Sequence, residues 1–256
     1  MDVPLHRHEV SLDYTRVELA LDYTLSARWS ASLRVPWEQK AQHASIALVE
    51  PATPAEREAM LRGMNVHHRD ATYRGLGDLM FLGHRRLNDH WILGIGTSIP
   101  TGHTVENPYL LGDRGIEHVH IQFGSGTFDP LLDATYRSGS FSAFATARLP
   151  LYENTRTLRA PPELGAGLGA SHRISDRLRL RAELAAFRQG YGEWDGVRDE
   201  NTGIVSTSAT LGASMRAKST ILALDVRVPV SQRTLAVGDA FKQGPAVMLT
   251  VGRKIR

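Results

Sequence analysis

The chain has 256 residues, 23 Gly, 22% charged residues and a formal charge of +3, enough for one large domain. It has no Cys, which excludes disulfides and thiolate metal sites. No apolar run approaches the ~20 residues of a membrane helix, and the arginines are spread along the chain instead of gathered in a tail, which argues against a nucleic-acid partner.

Residues 1–8 lack the basic and apolar regions of a signal peptide. From 16 to 24 the pattern alternates, with Val17, Leu19, Leu21 and Tyr23 on one face and Glu18, Ala20 and Asp22 on the other. Strand side chains point to opposite faces with period two, so this is a strand with one apolar and one polar face. A turn at 26–28 leads into a second, where Trp29, Ala31, Leu33 and Val35 oppose Ser30, Ser32 and Arg34. Residues 38–73 lose the alternation and read as a long loop. Within it Thr53, Pro54, Glu56 and Gly63 mark a short helix, as N-cap, first-position Pro, capping-box acid and terminator. Residues 74–102 form a hairpin around Asn88-Asp89. Leu79, Phe81, Trp91, Leu93, Ile95 and Ile99 share its apolar face; Asp78, Met80, His84, Gly94, Gly96 and Ser98 share the other.

A polar loop, 103–117, follows. Val119, Ile121 and Phe123 read as strand up to Gly124-Ser125-Gly126, where the parity shifts. Beyond it Phe128, Leu132, Ala134 and Tyr136 are interleaved with Asp129, Asp133 and Arg137. After a turn at 138–140, Phe141, Ala143, Ala145 and Ala147 return toward Arg148. Residues 161–173 form a strand with Gly165, Gly167 and Gly169 on one face. A turn at 175–177 leads to Leu178, Leu180, Ala182 and Leu184, opposed by Arg179, Arg181 and Glu183. A third loop spans 189–203. A hairpin of 205–215 and 221–230 places Asp225 and Arg227 on its polar face, and 246–255 closes the chain.

Four strands are expected to end at a proline: Pro36, Pro100, Pro150 and Pro229. Proline lacks the N–H that a ladder needs. Short turns alternate with long loops, 38–73, 103–117, 152–160, 189–203 and 231–243, so the two kinds of connection belong on opposite rims. That asymmetry and the ~9–11-residue strands are the pattern of outer-membrane barrels. The apolar face then meets lipid, and Trp29, Trp91, Tyr23 and Tyr136 lie where an interfacial girdle belongs. In a soluble barrel or sandwich the same face would be buried.

Gly75-Leu76-Gly77-Asp78-Leu79, Gly94-Ile95-Gly96, Pro100-Thr101-Gly102 and Gly124-Ser125-Gly126-Thr127-Phe128-Asp129 carry a family resemblance. The series resembles the bacterial outer-membrane barrels named for a "MetA-pathway of phenol degradation", relatives of hydrocarbon-uptake channels. Leu25-Ser26-Ala27-Arg28-Trp29 running to Val35-Pro36 looks like that family's first turn and strand end. The resemblance implies an all-β, antiparallel, up-and-down transmembrane barrel of about twelve strands in one domain, 1–256. Eleven strands are read directly. An even count calls for a strand and signal peptide upstream, or for residues 5–14 to supply the strand.

The polar face carries the candidate site as a pore lining: Glu18, Asp22, Arg34, Asp78, His84, Asp129, Asp133, Arg137, Arg148, Arg179, Arg181, Glu183, Asp225 and Arg227. These charges either set the field of a pore or pair to close a narrow lumen. His118 and His120 share a face, but no third ligand is fixed by spacing, so no metal site is assigned. No nucleophile elbow, P-loop or HExxH motif occurs, and no catalytic residue or cofactor is expected. The expectation is an outer-membrane passive channel or binding pore for small apolar or aromatic molecules, with the lipid bilayer as partner and no nucleic acid. A non-transporting structural barrel is the alternative, followed by an outer-membrane enzyme.

Overall fold

The computed structural model describes residues 6–67, 69–237 and 241–254. In chain order the strands are β1 (His6–Thr24), β2 (Trp29–Leu48), β3 (Ala71–Leu76), β4 (Leu79–Arg86), β5 (Trp91–Ile99), β6 (Pro130–Ser138) and β7 (Phe141–Arg148). They continue with β8 (Leu158–Arg159), β9 (Glu163–Arg173), β10 (Leu178–Gln189), β11 (Glu193–Trp194), β12 (Val197–Arg198), β13 (Ile204–Ala217), β14 (Thr220–Thr234) and β15 (Ala246–Arg253). Two helices, α1 (Pro54–His67) and α2 (Pro108–Asp113), lie in loops.

Twelve strands form one antiparallel sheet, eleven of them in the order β1-β2-β4-β5-β6-β7-β9-β10-β13-β14-β15 with β3 also paired to β2, curled into a half-barrel. Among the described residues β1 and β15 each have one sheet neighbour. Consecutive antiparallel strands put every short turn at one rim and every long connection at the other, as the loop lengths predict. A small sheet, β12-β11-β8, sits among the long loops.

The register puts one chemistry on each face. Glu183 lies opposite Gly169 and Thr210, while Leu184 lies opposite Leu168 and Ala209. The buried polar residues Ser32, Ser98, Asp129, Thr210 and Asp225 are all on the polar face, so that face is concave. The convex face is apolar and open: Leu93, Ile95, Leu180, Leu184, Leu222 and Leu224 are 40–69% exposed. A contiguous apolar belt of this kind would aggregate in water and suits lipid.

The belt has edges. Trp29 and Trp37 both face outward on β2, about 26 Å apart along the strand at ~3.3 Å per residue, close to the ~25 Å apolar band of outer-membrane barrels. Beyond Val17, which pairs with Trp37, the convex positions of β1 turn polar: Thr15, Asp13, Ser11 and Glu9. At the short-turn edge Trp91 pairs with Tyr136, their rings 5.2 Å apart, and Phe141 continues the girdle at 6.5 Å from Tyr136. Arg85 lies over the Trp29 ring at 5.4 Å.

Several expectations are corrected. Residues 38–73 are not one loop, because β2 runs to Leu48 and β3 occupies Ala71–Leu76. Alternation fades there because the β1–β2 hairpin rises beyond the apolar band and meets water on its outer face. Residues 5–14 do not form a separate strand: from His6 they are the start of β1, and Leu5 lies outside the described residues. The twelfth strand of the sheet is β3, which pairs with β2 beside β4 and lies off the sequential order. Val119, Ile121 and Phe123 are not in a strand; β6 begins at Pro130. The segment they belong to folds onto the concave face.

Two of the four prolines end strands as expected, since β5 stops at Ile99 and β7 at Arg148. The other two sit inside strands, at interruptions of the ladder. Pro36 faces the break between β3 and β4, since β2 pairs with β4 up to Arg34 and with β3 from Trp37 onward. Pro229 adjoins a bulge, where the register shifts between Thr207 and Ser208.

Helix α1 begins with the expected capping box: the Glu56 amide donates to Thr53 Oγ1 at 3.3 Å and the Thr53 amide to Glu56 Oε2 at 2.8 Å. It then runs through Gly63 to His67, so Gly63 does not terminate it. Hydrogen bonds from the Thr53 hydroxyl, then from its amide, hold the Glu56 carboxyl below the usual glutamate range. The cap's contribution is therefore complete above that range and lost as pH falls through the lowered value. Amide-exchange protection of the first turn of α1 should drop on acidification, and Glu56→Gln should flatten the dependence.

A second test addresses the belt. Leu184 lies near mid-height on the convex face, where an arginine facing lipid costs about 2–4 kcal/mol. Leu184→Arg should lower the unfolding free energy in bilayers by that amount, and Arg227→Leu, on the concave face, should change it much less.

Candidate functional site

The concave face is organised around Asp78. This residue interrupts the line of β3 and β4 and is 7% exposed. Asp78 Oδ1 accepts from the Gly102 amide at 3.0 Å. Asp78 Oδ2 accepts from the Ser125 amide at 2.8 Å, the Ser125 hydroxyl at 3.1 Å and Arg148 Nη2 at 3.2 Å. A buried carboxylate is tolerated only when so satisfied. Arg148 also pairs with Asp129, which is 0% exposed, at 2.7 Å. The Asp129 amide donates to Ser98 Oγ at 3.1 Å, and its carboxylate accepts from the Thr127 hydroxyl.

These bonds hold residues 100–129 against the sheet. Two glycines are required by the close approach. A Cβ on Gly124 would lie 2.2 Å from Asp78 Oδ1, and one on Gly102 would lie 2.6 Å from the Phe123 carbonyl oxygen. Gly126 adopts φ 73°, a left-handed conformation. Three of the glycine-rich motifs singled out in the sequence, at 75–79, 100–102 and 124–129, thus converge on one carboxylate.

Above this latch, toward the long loops, lies a cavity of about 560 Å³. Tyr14, Arg16, Glu38 and Lys40 form one wall, and Glu163, Gln189 and Trp194 line another. Lys40 bridges wall and segment. Its Nζ donates to the Gln122 carbonyl at 2.6 Å, pairs with Glu38 at 3.1 Å and lies 4.8 Å from the centre of the Phe123 ring. Glu38 also accepts from the Tyr14 hydroxyl at 2.8 Å. The roof is tied down from α2: Asn107 donates to Asp195 at 2.7 Å and the Tyr109 hydroxyl to Asp199 at 2.6 Å. The cavity therefore mixes aromatic faces with acid–base pairs.

Below the latch, charges pair across an intervening strand. His84 on β4 meets Asp133 on β6 at 2.9 Å, passing over Gly94 on β5. Arg181 on β10 meets Asp225 on β14, passing over Gly212 on β13. A Cβ on Gly94 would lie 2.4 Å from Asp133 Oδ2, and one on Gly212 would lie 1.8 Å from Asp225 Oδ1. Each glycine is the space its pair occupies.

Of the residues expected to line a pore, Asp78, Asp129 and Arg148 form the latch, and His84–Asp133 and Arg181–Asp225 form the spanning pairs. Arg34 pairs with Asp22 at 2.8 Å and approaches Glu18 at 3.9 Å. Arg137, Arg179, Glu183 and Arg227 face the same side by register but join no ion pair among the described residues. The sequence reading missed Arg16, Glu38, Lys40, Tyr109, Phe123 and Trp194. The parity of Ser32 and Arg34 continues through Pro36 to Glu38 and Lys40, and that was the available signal. His118 and His120 pack ring to ring at 5.1 Å, and no group of three candidate metal ligands occurs among the described residues.

No protein-family model matches the chain, and no curated protein matches it. A solved outer membrane channel from Pseudomonas putida F1 is similar in structure, with a TM-score of 0.55 and 14% identity over 94% of this chain and 82% of the channel. That likeness concerns the fold. OprD of Pseudomonas aeruginosa aligns with 87% of this chain and 58% of its own length at 9% identity and a TM-score of 0.33, too low to carry an argument.

Breaking a buried ion pair typically costs about 3–5 kcal/mol, so Asp78→Ala should release residues 100–129 while leaving the sheet folded. Limited proteolysis should then cut between 103 and 126. Gly212→Val should separate Arg181 from Asp225 and lower thermal stability more than Gly252→Val, since a Cβ at Gly252 meets nothing within 4 Å.

Proposed function

We propose that this chain is a bacterial outer-membrane β-barrel, a relative of the MetA-pathway group, acting as a passive channel or binding pore for small apolar or aromatic molecules. The observation that carries the reading is the two-faced sheet. A lipid-compatible belt bounded by Trp29 and Trp37 lies outside, and a concave face of paired charges lies inside, enclosing a cavity of about 560 Å³. The aromatic groups of that cavity, Tyr14, Tyr109, Phe123 and Trp194, supply flat apolar contacts for a small ring. No step requires a nucleophile, metal or cofactor, and the reading is of a non-enzyme.

The Asp78 latch favours a second reading, a structural barrel whose lumen is filled by its own segment. Flux separates the two. Protein reconstituted in liposomes should pass small aromatic solutes such as benzyl alcohol derivatives faster than protein-free vesicles do, and Asp78→Ala should raise the rate. No flux in either form would leave the structural barrel.

A further inference from the structure

The short-turn mouth of the concave face carries a second cavity, of about 520 Å³, which shares no lining residue with the upper one. Arg137 from β6 and Arg179 and Arg181 from β10 line it, with Glu183 as the sole lining carboxylate among the described residues. Arg181 is matched by Asp225, but Arg137 and Arg179 join no ion pair among the described residues. Ser142, Ser171 and Ser214 add hydroxyls. Like charges are also forced together here. Arg173 and Arg179 are direct cross-strand partners on β9 and β10. Among the described residues Arg173 pairs with a single carboxylate, Asp176, at 3.5 Å and 97% exposed. A smaller cavity of about 180 Å³ joins at Arg179 and brings in Arg173 and Arg216.

Directly opposed like charges destabilise a sheet pair. Elsewhere on this face Arg34 and Arg148 find acids, and Arg181 finds Asp225 across Gly212, so the unmatched guanidinium groups of Arg137 and Arg179 are a departure from the pattern. They form a donor-rich pocket in which three guanidinium groups face one lining carboxylate. Its wall also offers an aromatic ring, since Phe144 sits over Gly167, where a Cβ would lie 2.5 Å from the ring. Guanidinium groups bind planar oxyanions through parallel N–H donors.

We propose that this mouth is a binding site for small organic anions with an apolar or aromatic body, carboxylates above all. This rests on the channel reading and narrows its solute class: the ring packs on Phe144, and the carboxylate takes donors from Arg137 and Arg179. Occupancy also neutralises the Arg173–Arg179 repulsion.

The test compares benzoate with benzyl alcohol, which share a ring and differ in charge. Binding of each to the detergent-folded full chain is measured by calorimetry at low and high salt, and flux of each is measured in liposomes. Benzoate should bind at least about tenfold tighter than benzyl alcohol, the margin expected of one charge-assisted hydrogen-bonded contact, and added salt should weaken it. The double substitution Arg137→Gln/Arg179→Gln should abolish the preference. Arg179→Lys should keep part of it, and Arg188→Gln, on the convex face, should leave it intact. Heat-modifiable gel mobility reports whether each variant is folded. Equal binding of the two solutes, or a preference unchanged in the double variant, overturns the site while leaving the channel reading standing. Arginine-dependent benzoate binding without flux of either solute supports the site and overturns the channel reading.

Discussion

A carboxylate with almost no exposure must find its hydrogen bonds inside the protein, and Asp78 finds them on chain segments far apart in sequence. Its position at the break between β3 and β4 is part of the same constraint. There the Gly77 amide turns to the Pro36 carbonyl at 3.0 Å, and Thr101 donates to the Gly77 carbonyl at 2.9 Å. Proline at 36 and the interrupted strand opposite it fit one another: the proline has no N–H to offer, and its carbonyl is met by the Gly77 amide. The freed carboxylate then gathers Gly102 and Ser125, and through Arg148 it couples to Asp129. The segment between 100 and 129 is thereby fixed, and with it the floor of the upper cavity.

The concave face meets a problem that a water-exposed sheet avoids. Its charges cannot all be hydrated, so they must be matched, yet the directly opposite residue is often a glycine, as at Gly94 and Gly212. The chain resolves this by pairing at second neighbours over a glycine. His84 reaches Asp133 over Gly94, and Arg181 reaches Asp225 over Gly212. The same economy of space puts Phe144 over Gly167. Glycine weakens a strand by its own entropy, and here the gain is a hydrogen-bonded contact between a basic side chain and a carboxylate. Arg137 and Arg179 meet no acid among the described residues, and on that surplus of positive charge the proposed anion site rests.

The belt and the lumen are linked by period two. Each outward Leu on β10 fixes an inward charge one residue away, so lipid contact and luminal chemistry cannot be changed independently by a shift of register. A slip of one residue would turn Arg179, Arg181 and Glu183 into lipid. Above Trp37 this coupling relaxes. There the β1–β2 hairpin is polar on its outer face, and its inner face contributes Tyr14, Glu38 and Lys40 to the cavity.

Alternation and turn chemistry alone determined the antiparallel sheet, its two faces, the short-turn rim and the capping box of α1, because period two and caps are local properties. The inward orientation of Asp225 and Arg181 was legible for the same reason. So was the importance of Gly75-Leu76-Gly77-Asp78, Pro100-Thr101-Gly102 and the 124–129 run, though only as separate motifs. Their convergence belongs to the tertiary structure, since a hydrogen bond from Ser125 to Asp78 depends on how residues 103–124 fold, and that segment has no period. The same holds for Val119, Ile121 and Phe123, whose strand-like spacing yields to the bonds that draw the segment inward. The length of β2 was hidden because its upper half meets water on its outer face, where hydropathy no longer distinguishes the two faces. Which charges would be matched was hidden too. Pairing over Gly94 and Gly212 depends on the register between three strands, and a sequence records that only after they have been laid side by side.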